Sequence, residues 1–521
     1  MSEKKQLITL CQRRIKGEII TSGDLDTLNG YRGHANDFCK RLDRGDPEPS
    51  ALAALAPVLS DSECREVFGI GQPPVKLAEF SPDDLGNADA FTALHGADYA
   101  YSDAIGWLKY TGTHWEPEGA EAALDHDIAQ MLRTRQHAAI DAQREKVISA
   151  ATPNAKRIRD CKYLLQSRFF TKTSEFDTHD HLLNVANGVI NLKNGDILPH
   201  NRYFRFTWCL ATPYEQNADT APIKGFVDSV VKGGANTTGW LQTILGLCLT
   251  GDTRFEIVLY LHGQTRAGKG TLIEAIMHLL GGLCKPLNFA ALIEKRDPDA
   301  NNFDLAPLRN CRLVIADESD RRDRLNGAKL KTLTGGNALM CAFKHRDFFS
   351  YRPKFKILMV SNWPPNADAD DDAIWSRLRV VEFPNSYAGK EDFELKSKLK
   401  TTPYQKALLA WMVQGAIKFY ESGSIGIKAP DVVIQSTQDR RNELDEVGQW
   451  LAECCTMGNG NFCDNEKIYS SYGAWCKNNG YNPKTAKSLA GSLKSKKLEV
   501  GIIKRVGETT KRGVSGFCVN Q

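Results

Sequence analysis

The stretch from Leu259 to Leu272, LYLHGQTRAGKGTL, restricts the fold more than any other part of the chain. A run of strand-forming apolar residues enters a glycine-rich turn and passes directly into a helix. A turn this short holds the strand end against the helix N-terminus, where unpaired N–H groups attract anions. Similar units surround it. EIVLYLHG, CRLVIADE and KILMVSN are short apolar runs of buried-strand character, while WLQTILGLCLTG and TLIEAIMHLLGG read as helices closed by glycine. Buried strands alternating with helices build an α/β sheet whose functional groups collect at the carboxyl edge of the strands.

With 521 residues the chain exceeds the size of one hydrophobic core, about 250–300 residues, so several domains are expected. Residues 1–85 hold short helical patterns (CQRRIKGEII, ANDFCKRLDRG) and the loop-like GDPEPS. Residues 86–235 form an α+β flanking domain: aromatics alternate around Gly-Thr in a hairpin ending on Trp115, residues 119–168 are helical, and LLNVANGVINLKNGDILPH returns to strands joined by Asn-Gly turns. Residues 236–390 carry the α/β pattern, 391–461 are helical, and 462–521 make a small basic unit. The net charge of +4 is nearly balanced, so any affinity for nucleic acid must come from local patches. No signal-peptide core and no membrane-length apolar run occur, which predicts a cytoplasmic protein that makes no membrane contact. The 14 cysteines include no CxxC. The spacings of Cys454, Cys455, Cys463 and Cys476 match no familiar zinc pattern and favour small buried hydrophobes.

Gly263-Gln264-Thr265-Arg266-Ala267-Gly268-Lys269 has the P-loop spacing, in which backbone N–H groups wrap phosphates and the lysine reaches the terminal one. ATP and Mg²⁺ are the expected ligands. Gly270 stands where the motif usually has the magnesium hydroxyl, which makes Thr271 the candidate. Asp317 and Glu318 end an apolar run, with Asp317 suited to magnesium and Glu318 to polarising the attacking water. Asn362 ends the next run and can orient water or sense the γ-phosphate; Asn before Trp-Pro-Pro is also good turn chemistry. Arg377 and Arg379 alternate in SRLRVVEF, and either can serve as an arginine finger or as one half of a surface salt bridge.

In this order, the P-loop, the DE strand, a Gly-Gly hairpin segment, the Asn-ended strand and WSRL resemble the superfamily 3 helicases of viruses, phages and plasmids, above all the poxvirus and phage/plasmid primase–helicase group. LLNVANGVINLKNGDILPH with the CLTG helix resembles that group's amino-flanking domain, and IYSSYGAWCKNNG its closing domain. The resemblance runs from about residue 90 to the end. It implies an AAA+-like ATPase core in a homo-oligomeric ring, usually hexameric, that hydrolyses ATP between subunits and draws single-stranded DNA through its channel at replication forks. By position it makes Lys269, Glu318, Asn362 and Arg377 catalytic, and it puts the channel hairpin within GGNALMCAFKHRDFFSYRPKFK. Lys344 and His345 are its candidates for gripping DNA. Asn337 and Ala342 depart there from the family's usual Asp and Arg. Independently of the family, Lys344, Arg346, Arg352, Lys354 and Lys356 interleave with Phe and Tyr as on a strand-tracking surface, though a solvated basic hairpin reads the same way.

Near the C-terminus two helices precede a basic two-strand ribbon, which suggests a winged-helix-like DNA-binding unit with Lys484, Lys487, Lys494, Lys496, Lys497, Arg505, Lys511 and Arg512 as its patch. Such units also bind proteins. About 85 residues precede the resemblance, and their acidic pair in SGDLDTLNG reads as a turn and helix cap. No primase activity is therefore expected, and a separate primase or loader is implied. The sequence thus predicts an ATP-dependent DNA helicase of a phage, prophage or related mobile element, in a bacterial host. The alternative is an ATP-regulated origin initiator or defence factor that assembles on DNA without processive unwinding. A small-molecule kinase shares Gly-Lys-Gly-Thr but has no use for the DE strand, the Asn or the basic tail.

Overall fold

A computed structural model describes residues 3–16, 18–44, 51–52, 54–59, 63–64, 67, 75–294, 302–317, 323–341, 349–390, 392–422, 427–506 and 509–520. The apolar runs around the glycine-rich turn form five strands, numbered β1 to β5 within their sheet: β1 (Val258–Gly263), β2 (Cys284–Pro286), β3 (Leu313–Asp317), β4 (Lys356–Ser361) and β5 (Leu378–Phe383). The order across the sheet is β5-β1-β4-β3-β2 and every neighbouring pair is parallel. Side chains alternate between faces, and both faces are covered. Val258 and Tyr260 of β1 pack on one side with Val314, Ile357 and Met359, while Leu259 and Leu261 are also buried. Parallel sheets carry such continuous apolar strands because helices cover both sides. Helix α1 (Lys269–Leu280) follows β1 directly after the loop at 264–268, and helix α2 (Asp431–Glu443) packs on β5, where the Thr437 hydroxyl accepts from Val380 N–H at 3.0 Å.

The chain divides into two compact units. The second holds this sheet and comprises Thr220–Cys248, Asp252–Thr401 and Ser422–Gln521. Its last part is a helix (Glu446–Cys454), a strand (Cys455–Asp464), two helices (Asn465–Asn479, Ala486–Ser495) and two strands (Glu499–Val506, Thr509–Val519), with the three strands in one antiparallel sheet. Trp450, Tyr472 and Phe517 centre its core. The strand Cys455–Asp464 runs across the expected boundary at 461/462, because Trp450 and Cys455 belong to the same core as the helices that follow.

The first unit comprises Met1–Asp219, Leu249–Gly251 and Thr402–Glu421. Helices Glu3–Ile15 and Arg32–Asp43 share a core through Leu7, Cys11 and Phe38. Between them, Thr21 and Asp24 form a capping box, the use foreseen for this acidic segment, and hydrogen bonds from Thr21 hold the Asp24 carboxyl down at about 2. Two antiparallel three-stranded sheets follow, Tyr99–Ser102, Gly106–Tyr110 and Trp115–Glu116, then Leu182–Val185, Gly188–Asn191 and Ile197–Leu198. The helices Ala120–Asp141, Glu145–Ala151 and Ala155–Arg168 separate them in the chain. Among the described residues no helix is long and apolar enough to cross a membrane.

Candidate nucleotide-binding site

The glycines of the loop are set by close approach. A Cβ on Gly263 would lie 2.3 Å from the Phe383 carbonyl oxygen of β5. Gly268 has φ +93°, and a Cβ there would lie 2.8 Å from Val230 Cγ1. Arg266 adopts the left-handed region at φ 61° without being glycine. Its carbonyl accepts from Tyr387 N–H at 3.0 Å, and the neighbouring Thr265 carbonyl accepts from the Ser386 hydroxyl at 3.0 Å. The segment after β5 thus clips the loop in shape. Tyr387 is fastened in turn, its hydroxyl donating to the Ser229 carbonyl at 3.0 Å.

Lys269, the first residue of α1, is 6% exposed. Its Nζ donates to the carbonyls of Gly263 (2.6 Å) and Gln264 (2.8 Å) and to Asn362 Oδ1 (3.1 Å). Burial lowers its pKa, and the Asp317 carboxylate opposes that shift only in part. Asp317 and Asn362 come from the ends of β3 and β4. Because β4 lies between β1 and β3, with Ser361 opposite His262 and Val360 opposite Asp317, Asn362 emerges between the loop and the carboxylate. All three line one cavity of about 770 Å³ at the carboxyl edge of the sheet. Glu318 lies outside the described residues.

Thr271 lines the same cavity, and its hydroxyl has no hydrogen-bond partner among the described residues. Asp317 contributes a carboxylate to the same cavity lining. One hydroxyl and one carboxylate, both hard oxygen donors, fit Mg²⁺, which keeps waters and takes its other ligands from substrate phosphates. Among the described residues no group of three or more His, Cys, Asp or Glu could hold a metal by protein ligands alone. The cysteines near the C-terminus lie in or beside the core, where burial pushes the Cys455 thiol up to about 12.

Arg377 does not line the cavity that holds Lys269, Asp317 and Asn362. It is 9% exposed, pairs with the Glu256 carboxylate and donates to Thr334 Oγ1 (3.1 Å) and the Ala373 carbonyl (2.8 Å). Arg379 is half-buried and donates only to the carbonyls of Ser376 (2.9 Å) and Leu378 (2.8 Å), so the salt-bridge alternative is not what the structure contains among the described residues. The hairpin strands Leu339–Cys341 and Phe349–Tyr351 pair antiparallel as the hairpin reading requires, but Lys344 and His345 lie outside the described residues.

Lys356 corrects the sequence reading. It is 6% exposed and opens β4, a central strand paired on both sides, at the sheet's amino edge. Its Nζ donates to the Lys354 carbonyl at 3.4 Å, and its charge helps hold the Asp252 carboxyl low, so it is not presented to DNA. Lys484 and Lys496 are likewise turned to intramolecular partners. Lys484 bonds Asp370 (3.3 Å), and Lys496 pairs with Asp445. Lys487, Lys494, Arg505 and Arg512 remain exposed.

Sequence reading missed the clip at Ser386 and Tyr387, the Val230 contact and the Glu256 partner of Arg377. Pro-Asn-Ser-Tyr looks like an ordinary turn, and the other two contacts join segments far apart in the chain.

The family model described as D5 N terminal like matches residues 88–232. A second, described as a family of unknown function (DUF5906), matches residues 261–377, which hold the loop, Asp317, Asn362 and Arg377. L207/L206 of Acanthamoeba polyphaga mimivirus, named as a helicase, is 23% identical over 350 residues, covering 62% of this chain and 35% of its own. 121R of Invertebrate iridescent virus 3, also named as a helicase, is 21% identical over 61% of this chain and 39% of its own. Primase D5 of Fowlpox virus (strain NVSL) is 22% identical over 50% of this chain and 36% of its own. The matched part thus spans little more than a third of these relatives. They come from viruses of eukaryotes, and the expected phage or bacterial source finds no support among them. Among solved structures, the apo C-terminal region of NrS-1 aligns over 82% of this chain and 98% of that one, at 10% identity and a TM-score of 0.47. That likeness is too low to carry an argument.

Proposed function

For a chain that belongs to the D5-type primase–helicase group of large DNA viruses, we propose an ATP-driven helicase acting on DNA during replication. The observation that supports it most is the contact between Lys269 and Asn362 beside Asp317, at the carboxyl edge of a parallel sheet. In this reading the N–H groups from Gln264 to Thr271 wrap the phosphates, and Lys269 leaves its loop carbonyls to reach the terminal one. Thr271 and Asp317 would hold Mg²⁺, which neutralises charge developing on the β- and γ-oxygens. Glu318 polarises the attacking water, Asn362 senses the γ-phosphate, and an arginine from a second copy completes the site. Coupled turnover in a homo-oligomeric ring moves the hairpin tip, with Lys344 and His345, along single-stranded DNA. The winged-helix-like unit at the C-terminus engages fork DNA or a partner, and a separate primase or loader acts with the ring.

Strand displacement on tailed duplexes by the wild type and Lys269→Ala tests this. The wild type should unwind one tail polarity with ATP, and the variant neither. ATP hydrolysis stimulated by single strands without unwinding of either substrate would replace the helicase by an initiator that only assembles on DNA.

A further inference from the structure

The C-terminal sheet ends on an open edge. Its order puts Thr509–Val519 in the middle, with Cys455–Asp464 on one side and Glu499–Val506 on the other, so Glu499–Val506 pairs with one neighbour only. Gly501, at φ +85°, sits in a bulge between Val500 and Ile502. Beyond it Ile502, Ile503, Lys504 and Arg505 are all exposed, Ile503 at 68%. Lys504 and its cross-strand partner Lys511 are turned to the rest of the sheet: Lys504 Nζ lies 5.8 Å from the Phe462 ring centre and Lys511 Nζ 3.6 Å from the Asp464 carboxylate. The opposite face carries Ile503, its partner Arg512, and Arg505. Neither arginine has a carboxylate partner among the described residues.

The local charge suits nucleic acid, yet the helix that would enter a groove is in part occupied by its own unit. In Ala486–Ser495, Leu489 and Leu493 face the core, and the Ser495 hydroxyl donates to Asp370 at 2.8 Å. Lys484, just before the helix, reaches both Asp370 (3.3 Å) and Ser492 Oγ (3.0 Å). The exposed stripe Lys487, Gly491 and Lys494 offers two ammonium groups but no amide or guanidinium for a base edge. The open edge instead has the chemistry of strand addition: unpaired backbone N–H and C=O groups supply affinity, and side chains on both faces supply selectivity. Its sequence defines the partner. Ile502 and Ile503 precede Lys504 and Arg505, so a strand laid antiparallel would set two acidic residues opposite the cations and then two apolar ones opposite the isoleucines. A second copy would bring the same cations to this edge, and like charges oppose that pairing. We propose that the edge docks an extended segment of another protein, in which two acidic residues precede two β-branched ones, as a fourth strand antiparallel to Glu499–Val506. The docking deepens the reading given above for the C-terminal unit and needs no nucleotide.

The intact chain tests it by fluorescence anisotropy with the labelled peptide Thr-Glu-Glu-Val-Ile-Thr. Two forms of that peptide, N-methylated on alternate sets of amides, separate strand addition from charge attraction. Only one set faces the edge, so one form should bind about tenfold more weakly than the other through its lost hydrogen bonds. Arg505→Glu should weaken the unmethylated peptide about tenfold by setting like charges together. Ile503→Thr, which keeps strand propensity, should weaken it about threefold. Both variants should melt near the wild-type temperature; where one does not, the methylated pair on the wild-type chain decides alone. Equal binding of the two methylated forms leaves only charge attraction and overturns the docking, as does a peptide that does not bind. If Arg505→Glu weakens duplex DNA binding while the peptide stays free, the edge belongs to nucleic acid. Self-association of the wild type that Ile503→Thr abolishes gives the edge to a second copy. Either result overturns the proposal. Peptide binding by a chain that hydrolyses no ATP leaves the docking standing and fails only the ATPase reading.

Discussion

The ammonium of Lys269 donates to the side-chain oxygen of Asn362 at 3.1 Å, across 93 positions of sequence. The lysine is thereby held by an amide and two loop carbonyls, all of which it would exchange for phosphate in the proposed ATPase reading.

Replacing Asn362 should therefore affect chemistry more than folding. Asn362 is exposed, so Asn362→Ala should change stability by no more than about 0.5 kcal/mol. Its kcat for ATP should fall about a hundredfold, as for the loss of one preorganised polar group. Asn362→Asp would pair with Lys269 and compete with phosphate, raising KM. Steady-state kinetics with thermal denaturation separates the two effects.

The two glycines that flank Lys269 should behave oppositely. Gly268→Ala puts a Cβ at φ +93° against Val230 and should cost about 1–3 kcal/mol while abolishing nucleotide binding. Gly270 has open space around its Cβ position, so Gly270→Ser should fold normally and keep ATPase activity. Thermal melts and titration with a fluorescent nucleotide read both results.

Asp370 ties the C-terminal unit to the strand-bearing part of the same compact unit. It accepts from the Ser495 hydroxyl (2.8 Å) and from Lys484 (3.3 Å). Burial pushes its carboxyl up, but hydrogen bonds from Ser492 and Ser495 and the nearby lysines outweigh that and leave it below the usual 3.8. A depressed carboxyl contributes stability above its ordinary range and loses it as the pH falls through the folded-state value. Asp370→Asn should cost about 1–3 kcal/mol at neutral pH. Limited proteolysis should then release a fragment beginning near Glu446 faster than from the wild type.

Nucleotide affinity should fall at alkaline pH. The free Lys269 amine titrates below its ordinary 10.5, and a bound phosphate would push it back up. Between those two values binding takes up a proton, so affinity decreases as the pH rises. Calorimetry in two buffers of different ionisation enthalpy should detect that uptake, and its absence would separate Lys269 from the phosphates.

Sequence alone determined the local elements: the strand entering the turn, the glycine spacing of residues 263–268, the helix from Lys269 and the polar ends of the strands at Asp317 and Asn362. These depend on alternation, backbone freedom and capping, which act over a few residues. Only tertiary structure decided that β4 inserts between β1 and β3, bringing Asn362 to Lys269. It also decided that Lys356 is buried while Arg379 has no carboxylate partner among the described residues, and that Asp370 holds Lys484. Strand neighbours and charge partners are chosen by packing between distant segments. A lysine or arginine reads the same in sequence whether it ends beside a carboxylate, under a sheet or in an open cavity.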